Sequence, residues 1–94
     1  RGIEGVLQEH PAILEAAVVG KPDSYRGEIL LAFVVTRPGM DDATPETALA
    51  QHCAERLARY KQPARYLQLP ALPKTPINKV DRKALSTLAG EQLP

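Results

Sequence analysis

The sequence is poor in the residues that support disulfides, base stacking or membrane insertion. Its single cysteine excludes an internal disulfide and favours a reducing, cytoplasmic setting. Tryptophan is absent, and three tyrosines and one phenylalanine provide no mixed aromatic and basic surface for nucleic acid. The net charge of +1 provides no bulk attraction to nucleic acid or to a membrane. No apolar run approaches the length of a membrane span, and no signal peptide opens the chain.

What remains is a chain of 94 residues with 44% hydrophobic residues, which is ordinary for a globular domain. Such a length predicts one domain with a modest core and without room for a large active-site cleft. Composition therefore directs attention to local segments.

Apolar spacing in the first part of the chain predicts a helix followed by a β-hairpin. Ile3, Val6 and Leu7 have helical spacing, and the pair at 10–11 ends that helix because the residue before a proline avoids helical dihedral angles. Residues 13–19 predict a strand closed by a glycine, and residues 21–27 predict a turn. Residues 28–36 are apolar at consecutive positions, which predicts a central strand covered on both faces. The short connection makes the two strands antiparallel.

The second part of the chain predicts a long helix and a third strand. Thr44 is the expected N-cap, with Pro45 at the first helical position. The stripe expected to be buried on this helix consists of Leu49, Cys53, Leu57 and Tyr60. Residues 65–69 form the expected third strand. The fold class is therefore α+β, with a sheet of about three strands (an antiparallel hairpin plus one more strand) packed with two to three helices.

Four residues that could be reactive or bind metal have simpler structural interpretations. His10 lies at a helix end and has no second ligand or base at a useful spacing. Cys53 belongs to the buried stripe, and no histidine is placed to activate it. Asp41 and Asp42 are interpreted as a solvated loop because no further carboxylate lies nearby. We therefore predict no metal site in this chain.

Residues 72–85 are the most informative segment of the sequence. Four cations fall within it: Lys74, Lys79, Arg82 and Lys83. Prolines at 73 and 76 keep the backbone before Lys79 extended, and Asn78 tolerates a left-handed backbone. Asp81 can cap a short helix that follows. This pattern predicts a stiff loop that holds Lys79 out for an anionic group. A basic run of this kind is also typical of solvated surface, and spacing alone leaves that alternative open.

This segment resembles the last core motif of the adenylate-forming enzymes, roughly Pro-Lys-Thr-x-x-Gly-Lys-x-x-Arg. Asn78 stands where the family has glycine, and the matching positions are Pro73, Lys74, Thr75, Lys79 and Arg82. Further resemblance to the carboxy-terminal subdomain of these enzymes lies in residues 3–11, 15–23, 26–35 and 57–63, in the expected order. The resemblance covers the whole chain, with the large amino-terminal domain and the hinge outside it.

The resemblance implies that residues 1–94 are the mobile C-terminal subdomain of an ATP-dependent, AMP-forming acyl-CoA synthetase. Such a ligase joins a carboxylate to ATP, forming an acyl-adenylate, and then transfers the acyl group to coenzyme A. Lys79 would be the adenylation lysine, and Arg26 would contact a coenzyme A phosphate. ATP and Mg²⁺ would be held mainly by the chain's own N-terminal adenylation domain. The fragment alone is expected to be inactive.

Two alternatives remain open from the sequence. The chain could be the C-terminal part of a peptide-synthetase adenylation domain, whose acceptor is a carrier-protein thiol; residues 80–85 fit that branch well. It could also be a small stand-alone anion-binding module.

Overall fold

The computed structural model describes residues 2–92. The sequence predicts a frayed tail from Glu91 onward. The last helix includes Glu91 and Gln92, and residues 1, 93 and 94 lie outside the described range. The elements in chain order are α1 (Ile3–Gln8), β1 (Ile13–Asp23), β2 (Gly27–Thr36), α2 (Glu46–Ala54), a 3₁₀ turn (Arg59–Lys61), β3 (Arg65–Gln68) and α3 (Arg82–Gln92). The described strands form one sheet in the order β1-β2-β3, with β1 antiparallel and β3 parallel to β2.

The central strand β2 separates two hydrophobic clusters. Ala32 and Val34 face one cluster, which α1 and α2 cover; Leu31 and Phe33 face the other, which α3 covers. Consecutive side chains point to opposite faces of a strand, so the continuous apolar run of β2 fills both cores. The predicted central strand, the antiparallel hairpin and the α+β class are all confirmed.

The hairpin is longer than predicted, because β1 continues past Gly20 to Asp23. Proline 22 is accommodated since β1 is an edge strand, where a missing backbone donor costs no ladder bond. The Asp23 carboxylate accepts the amides of Tyr25 and Arg26, at 3.2 and 2.7 Å, and Gly27 has a φ of 83°. These local bonds close the chain over three residues instead of seven.

The predicted N-cap of α2 is wrong. The N-cap is Pro45, and Thr44 is 1% exposed with its hydroxyl donating to the Met40 carbonyl. A threonine hydroxyl can satisfy a loop carbonyl as well as a helix amide, and here the buried loop carbonyl takes it. Glu46 instead accepts the amide of Tyr66 at 2.8 Å, which ties the start of α2 to β3.

The buried stripe of α2 is confirmed for its first two members and wrong for its last. Leu49 and Cys53 are buried, and Leu57 packs partly against the same cluster. Tyr60 is 80% exposed because α2 ends at Ala54 and an extended residue precedes the separate 3₁₀ turn. Among the described helices, none is long and apolar enough to cross a membrane.

Candidate functional site

The segment that precedes α3 forms a tight β-turn hairpin. Lys74 and Val80 form an antiparallel bridge, and the Thr75 amide donates to the Lys79 carbonyl at 2.7 Å. The Asn78 amide donates to the Thr75 carbonyl at 2.8 Å, which closes a four-residue turn with a proline at its second position. Asn78 then has a φ of 64°, as its place in the motif predicts. We call residues 75–79 the Lys79 turn.

The side chain of Lys79 is directed away from the core. Val80 packs partly against the α3-side cluster, and neighbouring residues of an extended segment point to opposite sides. Lys79 is exposed, and among residues 2–92 its ammonium has neither an ion pair nor a hydrogen bond. The predicted outward presentation of this lysine is therefore what the structure has.

The two cations that flank the Lys79 turn are both paired with carboxylates. Lys74 Nζ lies 2.9 Å from Glu15 Oε1 on β1. Arg82 donates to Glu4 Oε2 at 2.8 Å and to Glu4 Oε1 at 3.0 Å, and also to the Val18 carbonyl at 3.1 Å. Lys74 and Arg82 are therefore both engaged in ion pairs, whereas the Lys79 ammonium is not. The basic run is thus divided into structural and free charges.

Glu4 is the centre of the second ion pair. Its partial burial raises the pKa of the carboxyl, but the Arg82 guanidinium and the Val18 amide outweigh that effect and hold the pKa below its usual value. The pKa of Arg82 is raised in turn by its bonds to Glu4. The charged form of the pair is therefore the stable one.

The start of α3 is fixed by Asp81. Its side chain accepts the Ala84 amide at 3.0 Å, and its carbonyl accepts the Leu85 amide. The predicted cap is therefore confirmed. Leu85, in the first turn of α3, is fully buried.

Arg26 lies at the opposite end of the sheet from the Lys79 turn. It is exposed at the tip of the β1–β2 hairpin, whereas Glu15, which holds Lys74, lies eight residues before the end of β1 at Asp23, a span of about 26 Å at ~3.3 Å per residue. Arg26 lines a cleft with a volume of about 260 Å³; its other lining residues are Glu28, Ile29, Leu30, Arg59, Tyr60, Gln62 and Ala64. The structure therefore does not bring the two predicted site residues together.

The residues set aside by the sequence occupy structural positions. Cys53 is fully buried, and burial raises the pKa of its thiol despite its bond to Tyr66. His10 Nδ1 accepts the Ala12 amide at 3.1 Å, and its ring meets that of His52 edge-on at 5.1 Å. Within residues 2–92, no group of three His, Cys, Asp or Glu residues is placed to hold a metal ion.

Glu4 and Glu15 are the residues near the site that sequence reasoning missed. Both stand in segments that carried the family resemblance, yet their partners are 78 and 59 residues away. Only that shared membership in matched segments could have drawn attention to them.

The fold and the exposed lysine turn define a small α+β domain that presents the Lys79 ammonium without a carboxylate partner among the described residues. A sequence profile described as "AMP-binding enzyme C-terminal domain" matches residues 2–79, so the chain belongs to that family, and the resemblance to adenylate-forming enzymes is confirmed. Three similar proteins, two curated relatives and one solved structure, show how far the similarity extends.

Two curated relatives are acyl-CoA synthetases by name. The human "Acyl-coenzyme A synthetase ACSM5, mitochondrial" is 41% identical over 88% of this chain, and the "Long-chain-fatty-acid--CoA ligase" of Bacillus subtilis (strain 168) is 46% identical over 90%. The chain spans only 15% of the length of each. The solved structure of a Mycobacterium tuberculosis fatty acyl CoA synthetase superimposes with a TM-score of 0.88 at 34% identity; the match covers 98% of this chain and 18% of that one.

Proposed function

We propose that this chain is the mobile C-terminal subdomain of an ATP-dependent, AMP-forming acyl-CoA synthetase and that Lys79 serves its adenylation step. Membership of the family and the names of the relatives support the reaction class. The observation that carries the role of Lys79 is its position: a free ammonium on a closed turn between two paired cations.

The chemistry of adenylation requires such a charge. A substrate carboxylate attacks the α-phosphorus of ATP; its oxygen forms the new bond to phosphorus, and pyrophosphate leaves with the electron pair of the broken bond. Two anions must approach, and negative charge develops on the bridging oxygen. A preorganised ammonium between them reduces that repulsion. Lysine suits this task because it is a compact point charge on a long stem.

The remaining groups belong to the rest of the enzyme. Mg²⁺ would neutralise ATP phosphate charge, and we assign its binding, with that of ATP and the acyl group, mainly to the enzyme's own N-terminal adenylation domain. The described residues offer no cluster of three metal ligands. We place the enzyme in the cytoplasm because the one cysteine of this chain, Cys53, is a buried free thiol; the human relative named above is mitochondrial by name.

The test of Lys79 uses the full-length protein and separates the two half-reactions. A series of straight-chain acids from acetate to palmitate first identifies a carboxylate that the unmodified enzyme adenylates in ATP–pyrophosphate exchange. We expect Lys79→Ala to slow that exchange by ~10²–10³, the usual loss for one preorganised donor. Thioester formation from supplied acyl-adenylate should change much less.

Lys83→Ala is the matched control, because Lys83 is an exposed lysine only four residues further on. It should leave both half-reactions unchanged. Equal losses in both half-reactions for Lys79→Ala, or equal effects of the two variants, would refute the assignment.

Arg26 is proposed to contact a phosphate of coenzyme A. Its exposed guanidinium lines the cleft at the far end of the sheet together with Arg59 and Glu28, so a ligand there would meet two cations and one carboxylate. Arg26→Ala should raise the KM for coenzyme A and leave adenylation unaffected, whereas Arg37→Ala, an exposed arginine outside the cleft, should change neither. An unchanged KM would remove Arg26 from the site.

A carrier-protein thiol and a stand-alone anion-binding module are the alternatives. The relatives described above are named as coenzyme A synthetase and ligase, which favours coenzyme A over a carrier. The isolated 94 residues should bind ATP and coenzyme A weakly and turn over neither. Tight binding of either ligand by the isolated chain would favour the module.

A further inference from the structure

We propose that the Glu15–Lys74 and Glu4–Arg82 ion pairs are positioning pairs, which fix the direction in which the Lys79 turn presents its ammonium. This inference rests on the proposed adenylation role of Lys79. It assigns roles to two carboxylates on α1 and β1 and to two motif cations, Lys74 and Arg82. None of the four is proposed to touch substrate.

The first pair holds the incoming limb of the turn. Lys74 is the residue before the turn and bridges to Val80 across it, so movement of Lys74 moves both limbs. Its ammonium lies 2.9 Å from Glu15, and both side chains are about one-third exposed, at 32% and 34%. Glu15 stands on β1 just after the irregularity at Ile13, where the strand pairs with the end of β2. The incoming limb is therefore attached to the sheet.

The second pair holds the outgoing limb. Arg82 is three residues after Lys79 and makes two bonds to Glu4 and one to the Val18 carbonyl. Glu4 also accepts the Val18 amide at 2.8 Å. A planar guanidinium that donates to both oxygens of one carboxylate has a fixed orientation, which a single contact does not give. Arg82, Glu4 and Val18 thus join the start of α3 to α1 and β1.

A turn attached on both limbs can rotate in neither direction without breaking an ion pair. Its internal bonds fix its shape, and the two ion pairs, together with the packing of Leu72 and Val80 against the α3-side cluster, relate that shape to the rest of the subdomain. A misplacement of about 1 Å at a reacting group can cost up to ~10²-fold in rate. Loss of one of two attachments should therefore reduce adenylation by about tenfold.

The competing interpretation is that Lys74 and Arg82 themselves bind phosphate. The two interpretations differ when the charges are exchanged. In the double variant Glu15→Lys with Lys74→Glu, a positioning pair is re-formed with reversed polarity. A cation that contacts phosphate would be replaced by an anion at that contact.

The chain provides a matched control for Glu4 in Glu46. The Glu46 carboxylate accepts Arg65 Nε at 2.8 Å and the Tyr66 amide at 2.8 Å, just as Glu4 accepts Arg82 and the Val18 amide. Partial burial raises the pKa of Glu46, but its bonds to Arg65 and Tyr66 outweigh that and lower it overall, as for Glu4. Its pair joins α2 to β3 and contains no residue of the segment 73–82, which includes the Lys79 turn and Arg82.

The experiment compares Glu4→Gln and Glu46→Gln in the full-length enzyme. Both half-reactions are measured with the carboxylate that the unmodified enzyme accepts, and amide hydrogen exchange is followed over residues 73–82. We expect both variants to shift the unfolding midpoint by similar amounts. Only Glu4→Gln should slow adenylation, by about tenfold, and speed exchange in the turn, with thioester formation from acyl-adenylate retained.

Three results would overturn the proposal. Glu4→Gln and Glu46→Gln could slow adenylation equally, which would show a general effect of lost ion pairs. Exchange in residues 73–82 could stay at the unmodified rate in Glu4→Gln. The swapped pair at 15 and 74 could remain as slow as Lys74→Glu alone, which would favour direct phosphate contact. If Lys79→Ala is itself harmless, the proposed function fails, while faster exchange in Glu4→Gln would still show that the pair holds the turn.

Discussion

Replacing Asn78 with valine should separate the shape of the Lys79 turn from the stability of the fold. Asn78 has a φ of 64°, where an ordinary L-residue costs roughly 1–2 kcal/mol and a β-branched residue is strongly disfavoured. Two backbone bonds close the turn, and each contributes a net ~0.5–1.5 kcal/mol. The penalty is thus comparable to the energy that closes the turn. Asn78→Val should leave it open in a large fraction of molecules.

The expected result is a loss of about tenfold in adenylation, since 1.4 kcal/mol corresponds to a factor of ~10 in an equilibrium. The unfolding midpoint should move little, because Asn78 is exposed and contributes to neither core cluster. Asn78→Gly is the control, since glycine adopts positive φ without steric cost and is the family's usual residue here.

The measurements are ATP–pyrophosphate exchange, thioester formation from acyl-adenylate, and thermal unfolding, all on the full-length protein. The reasoning is refuted if Asn78→Val adenylates at the unmodified rate, or if Asn78→Gly is as impaired as the valine variant. A fall in both half-reactions together with the unfolding midpoint would show that the turn supports the fold as a whole.

Two further predictions concern stability. Burial, and then the electrostatic effect of the neighbouring His52 and Arg56, lower the pKa of His10 from its ordinary 6.5, so the unfolded chain binds a proton first as pH falls. The stabilisation is complete above pH 6.5 and decreases as pH falls towards the lower pKa of His10 in the folded state. His10→Asn, which keeps an acceptor for the Ala12 amide, should flatten this part of the pH profile of urea unfolding. An unchanged slope would contradict the assignment. Leu85→Ala should cost about 2–5 kcal/mol of unfolding free energy, and Leu88→Ala, at a partly buried position, clearly less; equal losses would contradict the burial pattern.

Sequence patterns predicted those parts of this fold that depend on neighbouring residues. The continuous apolar run of β2 indicates burial on both faces, because consecutive side chains of a strand point to opposite faces. Asn78 and Asp81 were predicted in the same way, since a left-handed turn residue and a helix cap act within four residues of themselves. The errors at Thr44 and Tyr60 share one cause. In each case a local rule allowed two conformations, and the tertiary structure selected the one that the rule did not rank first.

The sequence could not predict which motif cations form ion pairs, because their partners are distant in the chain. Lys74 and Arg82 look as free as Lys79 in the sequence, and all three match the same family motif. They differ only in what the sheet brings beside them: Glu15 and Glu4 reach the first two and no described carboxylate reaches Lys79. With the roles proposed above, the motif combines two different requirements, one for a charge that faces the reacting groups and one for charges that hold it in place. Removal of Lys79 should affect adenylation without affecting the turn. Removal of Lys74 or Arg82 should affect the turn first.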